Sequence, residues 1–218
     1  MTALAHETLE AAMPKVATPP SDLDDALWQA WKAIELPEGY HAEIIEGLIE
    51  VSPTGRLSHS QIANRLRRAL DKFLDRSEFA AFQDTHVIQA RKAWIPDVLV
   101  APEDVEEHGS EDGIGIKASA VQLIVEVVSP GSDSVTRDRT RKRREYARAG
   151  IPVYVLIDDH DDHDEHGIVT VLTAPDPDQA IYGDEVRVGY GATATIPTGP
   201  AKGFAIGEDV TGPARSGG

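Results

Sequence analysis

The sequence contains no cysteine, which excludes disulfides and thiolate chemistry. It also lacks a run of eighteen apolar residues and a basic-then-apolar leader, so neither a membrane span nor a signal peptide is indicated. Together these absences point to a cytoplasmic protein with no membrane partner. No internal repeat is evident. Net positive charge is missing too: the formal charge is -16 at pH 7. Phosphate binding relies on basic surface, so on its face this charge argues against a nucleic-acid partner. The objection weakens once the charge is located. Seven of the 21 Lys and Arg residues fall in RDRTRKRREYAR, residues 137 to 148, while acid is concentrated in PEDVEEHGSED and DDHDDHDEHG.

The chain of 218 residues, 41% of them hydrophobic, is long enough to bury a core as one domain. Residues 1–22 read as a mobile arm, 23–208 as the folded domain and 209–218 as a mobile tail. A short helix is expected at DDALWQAWKAI, with Trp28 and Trp31 packing it onto the body or a second subunit. HAEIIEGLIEVSP reads as two strands around a turn at Glu46 and Gly47. SHSQIANRLRRALDKFLDRS reads as a helix with Ile62, Leu66, Leu70, Phe73 and Leu74 on one face. Strands are expected in EFAAFQDTHVIQA, AWIPDVLVAPE and VQLIVEVVS, the last two separated by a long acidic loop. A helix from about Ser134 to Ala149 stops at Gly150 and Pro152. The strand VYVLID follows, then IVTVLT and AIYGDEVRVG. The central order is α-β-β-β-α-β, an α/β fold with an N-terminal hairpin and extra C-terminal strands.

Two of those strands carry the same anomaly. Glu126 lies in LIVEVV and Asp97 in WIPDVLVAP, where an isolated ionised carboxylate costs several kcal/mol unless something pairs with it. If the strands pair, the two side chains come within about 5 Å, and repulsion would force one to keep its proton. A hard divalent cation removes that repulsion, and Mg²⁺ prefers oxygen ligands and retained water. Such a site invites phosphate chemistry. Each carboxylate alone could instead be an edge residue facing water or a partner for Arg.

The helix after Glu126 is anomalous in turn. Its inward stripe runs Val135, Asp138, Lys142, Tyr146, Ala149, so Lys142 is the basic residue expected to turn toward the carboxylates. The bland alternative is an Asp138–Lys142 pair at i, i+4 on the surface. Tyr146 reads as packing. The flanking Arg137, Arg141 and Arg144 offer a local DNA footprint, and His59, at a helix N-terminus, could meet phosphate or serve only near the cap. His160, His163 and His166 sit in a loop that reads as solvated, although imidazole and carboxylate also suit a transition metal.

Glu43 in EIIEG, VSP followed by His59, IPDVLV, LIVEVVSPGS, and the series Asp138, Lys142, Tyr146, Gly150, Tyr154 together resemble the Uma-two family of restriction-endonuclease-like proteins, within the PD-(D/E)XK nuclease superfamily. The resemblance covers roughly residues 24 to 208. It implies a restriction-endonuclease-like core, with a mixed central sheet flanked by helices. It also implies that Asp97 and Glu126, with the backbone carbonyl of Val127, hold Mg²⁺ or Mn²⁺, that Glu43 completes the shell, and that Lys142 supplies the catalytic cation. DNA is the implied substrate, and a homodimer is a family-level expectation. One departure stands out: the superfamily's standard E-x-K pattern would place lysine at 128, where this chain has Val128. The rival readings are a nuclease-fold DNA- or protein-binding module without turnover, and an acidic metal-binding or interaction protein.

Overall fold

The first helix, α1 (Asp22–Ala33), begins where the sequence supplies a capping box. The Ser21 hydroxyl accepts the Asp24 N–H at 3.2 Å, and the Asp24 carboxylate accepts the Ser21 N–H at 2.9 Å. Trp28 and Trp31 stack with centroids 5.1 Å apart and bury against Ala42, Ile44, Ile88 and Ala93. They therefore pack α1 onto the body of the domain. The computed structural model describes residues 21–159 and 167–213. The expected arm up to residue 20, the residues His160, His163 and His166, and the chain after 213 lie outside the described residues.

Strands β1 (Tyr40–Ile45) and β2 (Leu48–Pro53) form the expected hairpin. Its two turn residues, Glu46 and Gly47, both have positive φ, 50° and 75°, as a tight I′ connection requires. Helix α2 (Leu57–Phe73) buries Ile62, Leu66 and Leu70, with Leu74 following as its C-cap. Phe73 departs from the expected face. It is 44% exposed, and at the end of the helix its ring meets Phe204 edge-on at 5.4 Å.

Two expected strands are each divided. EFAAFQDTHVIQA yields β3 (Phe79–Phe82) and β4 (Val87–Gln89), interrupted where Asp84 takes a φ of 51°. AWIPDVLVAPE yields β5 (Lys92–Trp94) and β6 (Val98–Pro102), interrupted at Pro96, which has no N–H for a ladder. The acidic loop contributes β7 (Ile116–Lys117), parallel to β4. Next come β8 (Leu123–Val127) and a composite helix. The helix starts as Ser132–Thr136, widens into a π-helical stretch Arg137–Lys142 and ends as Arg143–Arg148. Gly150, at φ 72°, closes it. The chain continues as β9 (Val153–Asp158), β10 (Ile168–Asp176) and β11 (Ile181–Gly189), then a small pair, β12 (Ala194–Thr195) and β13 (Ala205–Ile206). A final helical turn, Glu208–Thr211, buries Val210 completely, so the packed domain extends beyond residue 208 and takes in part of the expected tail.

The central sheet has the order β11-β10-β9-β8-β6-β3. Only β8 and β9 are parallel, joined across the composite helix, and the other pairs are antiparallel. Period-two alternation separates two cores. Leu123, Val125 and Val127 join Val98 and Val100 beneath α2, whereas Ile124 and Val128 join Leu99, Tyr146 and Ala147 under the composite helix. Glu126 shares the second face. Among the described residues no helix is long and apolar enough to cross a membrane.

Candidate functional site

Antiparallel pairing sets Val98 opposite Val125, and Asp97, the residue just before β6, lies beside the end of β8 that carries Glu126 and Val127. The link is fixed by the backbone, because Asp97 Oδ2 accepts the N–H of Val127 at 2.7 Å. Both carboxylates line a pocket of about 450 Å³. Its walls come from the hairpin through His41, from the start of α2 through His59, and from the composite helix through Arg137, Asp138 and Lys142.

Lys142 is only 2% exposed, and its Nζ lies 2.9 Å from both Glu126 Oε1 and Glu43 Oε1. Glu43 Oε1 also accepts the N–H of Ile95 at 2.7 Å. The Tyr146 hydroxyl donates to Glu126 Oε1 at 2.5 Å. The carboxylate in its apolar strand is thus met by an ammonium and a phenol, both delivered by one helix face. The surface pair between Asp138 and Lys142 does not form. Asp138 instead accepts from Arg137 Nε at 2.9 Å, and another guanidinium nitrogen of Arg137 donates to the Ser52 hydroxyl at 2.8 Å. Tyr154 ties down the wide turn by donating to the Asp138 carbonyl at 2.8 Å. Such π-helical turns recur at functional sites.

Four carboxylates, Glu43, Asp97, Glu126 and Asp138, therefore share the site with two permanent cations, Lys142 and Arg137. Burial, reinforced by the neighbouring carboxylates, pushes Glu126 up to about 8 against the opposing pull of Lys142. Burial likewise raises Asp138, although Lys142 and Arg137 oppose it. For Lys142 burial acts downward, but Glu126, Glu43 and Asp138 outweigh it and the ammonium is held charged. The shortage of positive charge falls on the carboxylates.

A pH dependence follows. Glu126 keeps its proton up to about 8 instead of its ordinary 4.5, so between those values the folded protein binds more protons than the unfolded chain. Stability of the metal-free protein then falls as pH rises through that window. Glu126→Gln is neutral throughout, so its melting temperature is expected to fall less over the same range and to exceed the wild type's most at the alkaline end. Parallel pH profiles for the two proteins would contradict this.

His59 Nε2 lies 3.0 Å from Asp97 Oδ2. Burial alone would lower this imidazole, but the hydrogen bond and charge of Asp97 prevail and raise it. Gly55 backs the ring so closely that a Cβ there would overlap the imidazole. Gly55→Ala is accordingly expected to displace His59 from Asp97 and return the His59 titration seen by NMR toward that of a free imidazole. An unshifted titration would show that the contact survives.

The hard oxygen donors and the excess of negative charge fit Mg²⁺ or Mn²⁺. Among the described residues no three His, Asp or Glu side chains are grouped to hold a metal ion. A site of Asp97, Glu126 and the Val127 carbonyl needs only two side chains and leaves other positions to water, as Mg²⁺ prefers. Glu43 is committed through Oε1 to Lys142 and Ile95.

Of the residues expected to contact DNA, Arg137 and His59 reach the pocket. Arg141 and Arg144 do not line it. Arg141 pairs with Glu46 and Glu50 and donates to the Ile45 carbonyl, while Arg144 grips both oxygens of Glu46 at 2.8 and 2.9 Å. Sequence reasoning missed the polar roles of Asp138 and Tyr146. The available signal was their place on the Lys142 stripe, since a buried phenol requires a partner.

The family model Uma2, described as "Putative restriction endonuclease", matches residues 28–196. Among solved structures the chain is similar to a crystal structure from Anabaena variabilis ATCC 29413, described as "a putative nuclease belonging to DUF820". The TM-score is 0.62 at 19% identity, covering 88% of this chain and 98% of that one, and the likeness is one of fold. No curated protein matches the chain.

Proposed function

We propose a function from the premise that the chain belongs to the Uma2 family: the protein is a metal-dependent endonuclease that hydrolyses DNA phosphodiester bonds at the Asp97–Glu126 pocket. The observation that carries this reading is the convergence of two carboxylates on one pocket, Asp97 from just before β6 and Glu126 from β8, with the buried ammonium of Lys142 brought to Glu126 from the composite helix. In this reading Asp97, Glu126 and the Val127 carbonyl hold Mg²⁺ or Mn²⁺, which when bound supplies Lewis-acid stabilisation of phosphoryl oxygen and acidifies water.

The remaining chemistry belongs to the chain. Val128 is buried in the apolar core and brings no charge, so Lys142 takes the place of the missing strand lysine. Glu43 and Tyr146 fix the geometry around it, one by sharing the ammonium and the other by holding Glu126 Oε1. A fixed cation beside the reacting phosphate stabilises charge that develops in the transition state. His59 orients Asp97, and Arg137 at the pocket wall offers donors to a phosphate oxygen.

A second reading, a nuclease-fold module without turnover, is favoured by the saturation of Lys142 between two carboxylates. Nicking of supercoiled plasmid separates the two. Cleavage that requires Mg²⁺ or Mn²⁺, stops with EDTA and resumes on adding the metal supports the enzyme. Binding of the plasmid with no cleavage under any of these conditions supports the module.

A further inference from the structure

The cations most visible in the sequence are already neutralised. Each of the seven Lys and Arg side chains in 137–148 has a carboxylate oxygen no more than 3.2 Å away. A phosphate landing on that helix would have to displace an internal partner. Helix α2 is different. Arg65, Arg68 and Lys72 are exposed and, among the described residues, make no ion pair. Arg56, the N-cap residue beside pocket-lining Gly55, is in the same condition. Arg67 is excluded from this set because it pairs with Asp71.

Steps of three and four residues set Arg65, Arg68 and Lys72 in one line, on the side of α2 opposite buried Leu66 and Leu70. At 1.5 Å per residue the line is about 10 Å long, close to three nucleotide rises of about 3.4 Å along one strand. The exposed residues Gln61 and Asn64 share that face, and Asn64 and Ser60 also line the pocket. A basic row on an acidic protein, leading to the pocket along one rigid helix, matches an extended polyanion whose scissile bond enters that pocket.

We infer that the solvent face of α2, through Arg65, Arg68 and Lys72 with Arg56 near the pocket, binds the phosphate backbone of the nucleic acid that the site cuts. This rests on the nuclease reading. It moves the electrostatic footprint from the arginine-rich composite helix to the row Arg65, Arg68 and Lys72 on α2, which makes no ion pair among the described residues. Contacts of this kind are to backbone, so they carry orientation and affinity rather than sequence preference.

The test is fluorescence anisotropy of a short DNA duplex and the matching single strand, with the full chain and without divalent metal so that nothing is cut. Binding by the wild type is expected to weaken steeply with salt. The triple variant Arg65→Ala, Arg68→Ala, Lys72→Ala is expected to melt like the wild type yet bind both probes more weakly. Its slope of log affinity against log salt is expected to shrink by about 2 to 3, at roughly 0.9 per duplex phosphate and 0.7 per single-strand phosphate. Poly-glutamate serves as a polyanion of protein type. If it competes as well as DNA, the face docks acidic protein and the inference is overturned. A triple variant with wild-type affinity and slope also overturns it, and the nuclease reading stands if Asp97→Asn still removes cleavage. A wild type that binds neither probe here, and cuts neither when Mg²⁺ or Mn²⁺ is added, removes both.

Discussion

Asp97→Asn is expected to lower metal-dependent cleavage by roughly two to three orders of magnitude or more while leaving the fold intact. Of the two carboxylates proposed as ligands, Asp97 is the one whose loss costs least structurally. Its side chain is 20% exposed, and an Asn in the same rotamer can still present a carbonyl oxygen to the Val127 N–H. What disappears is a negative charge at the junction of β6 and β8, where the proposed cation would sit. Mg²⁺ titration by calorimetry should therefore show weakened binding in parallel with the lost cleavage. Wild-type turnover in this variant would remove Asp97 from the site.

Lys142→Met is expected to act on the fold as well as on turnover, and more strongly. The ammonium is buried between Glu43 and Glu126. Methionine fills much of the same volume but leaves those carboxylates without their cation. Removing one partner from a buried charge cluster costs about 3–5 kcal/mol, which lowers the melting temperature by roughly 10 °C for a domain of this size. The loss should be largest at pH 9 and should shrink as the pH falls to 6, because Glu126 can then relieve the site by taking a proton. Adding Glu126→Gln to Lys142→Met should restore much of the melting temperature without restoring cleavage. Lys142→Arg is expected to rescue only partly, since a planar fork cannot reproduce a compact ammonium between two carboxylates. If Lys142→Met melts like the wild type at every pH, the lysine is not the counter-ion of this site.

The core of this site was legible because burying charge is costly and leaves a mark in the sequence. A carboxylate among branched apolar residues at 126 and another at 97 are visible without coordinates, and so is a lysine midway along an inward stripe at 142. The hairpin turn at Glu46 and Gly47 and the apolar face of α2 follow from local rules in the same way. What stayed hidden depends on partners far away in the chain. Arg144 meets Glu46 across 98 positions and Arg141 meets Glu50 across 91, so nothing local distinguishes a helix whose arginines are neutralised from one whose arginines are free. The basic row on α2 has fewer charges but, among the described residues, no ion-pair partner. The break at Asp84 and the π-helical turn carrying Asp138 and Lys142 likewise come from tertiary packing that periodicity alone does not encode, whereas the break at Pro96 follows from a residue without an N–H and was open to a local reading.

The central claim is that Asp97, Glu126 and the Val127 carbonyl hold one divalent cation at the pocket that Lys142 lines. Diffraction from crystals soaked in Mn²⁺, with the ion located by its anomalous signal, tests it most directly. The account predicts a single strong peak bonded to the Asp97 and Glu126 carboxylates and the Val127 carbonyl, with Lys142 still hydrogen-bonded at the same pocket. A peak elsewhere on the protein, with the carboxylate pocket empty at saturating Mn²⁺, would contradict it.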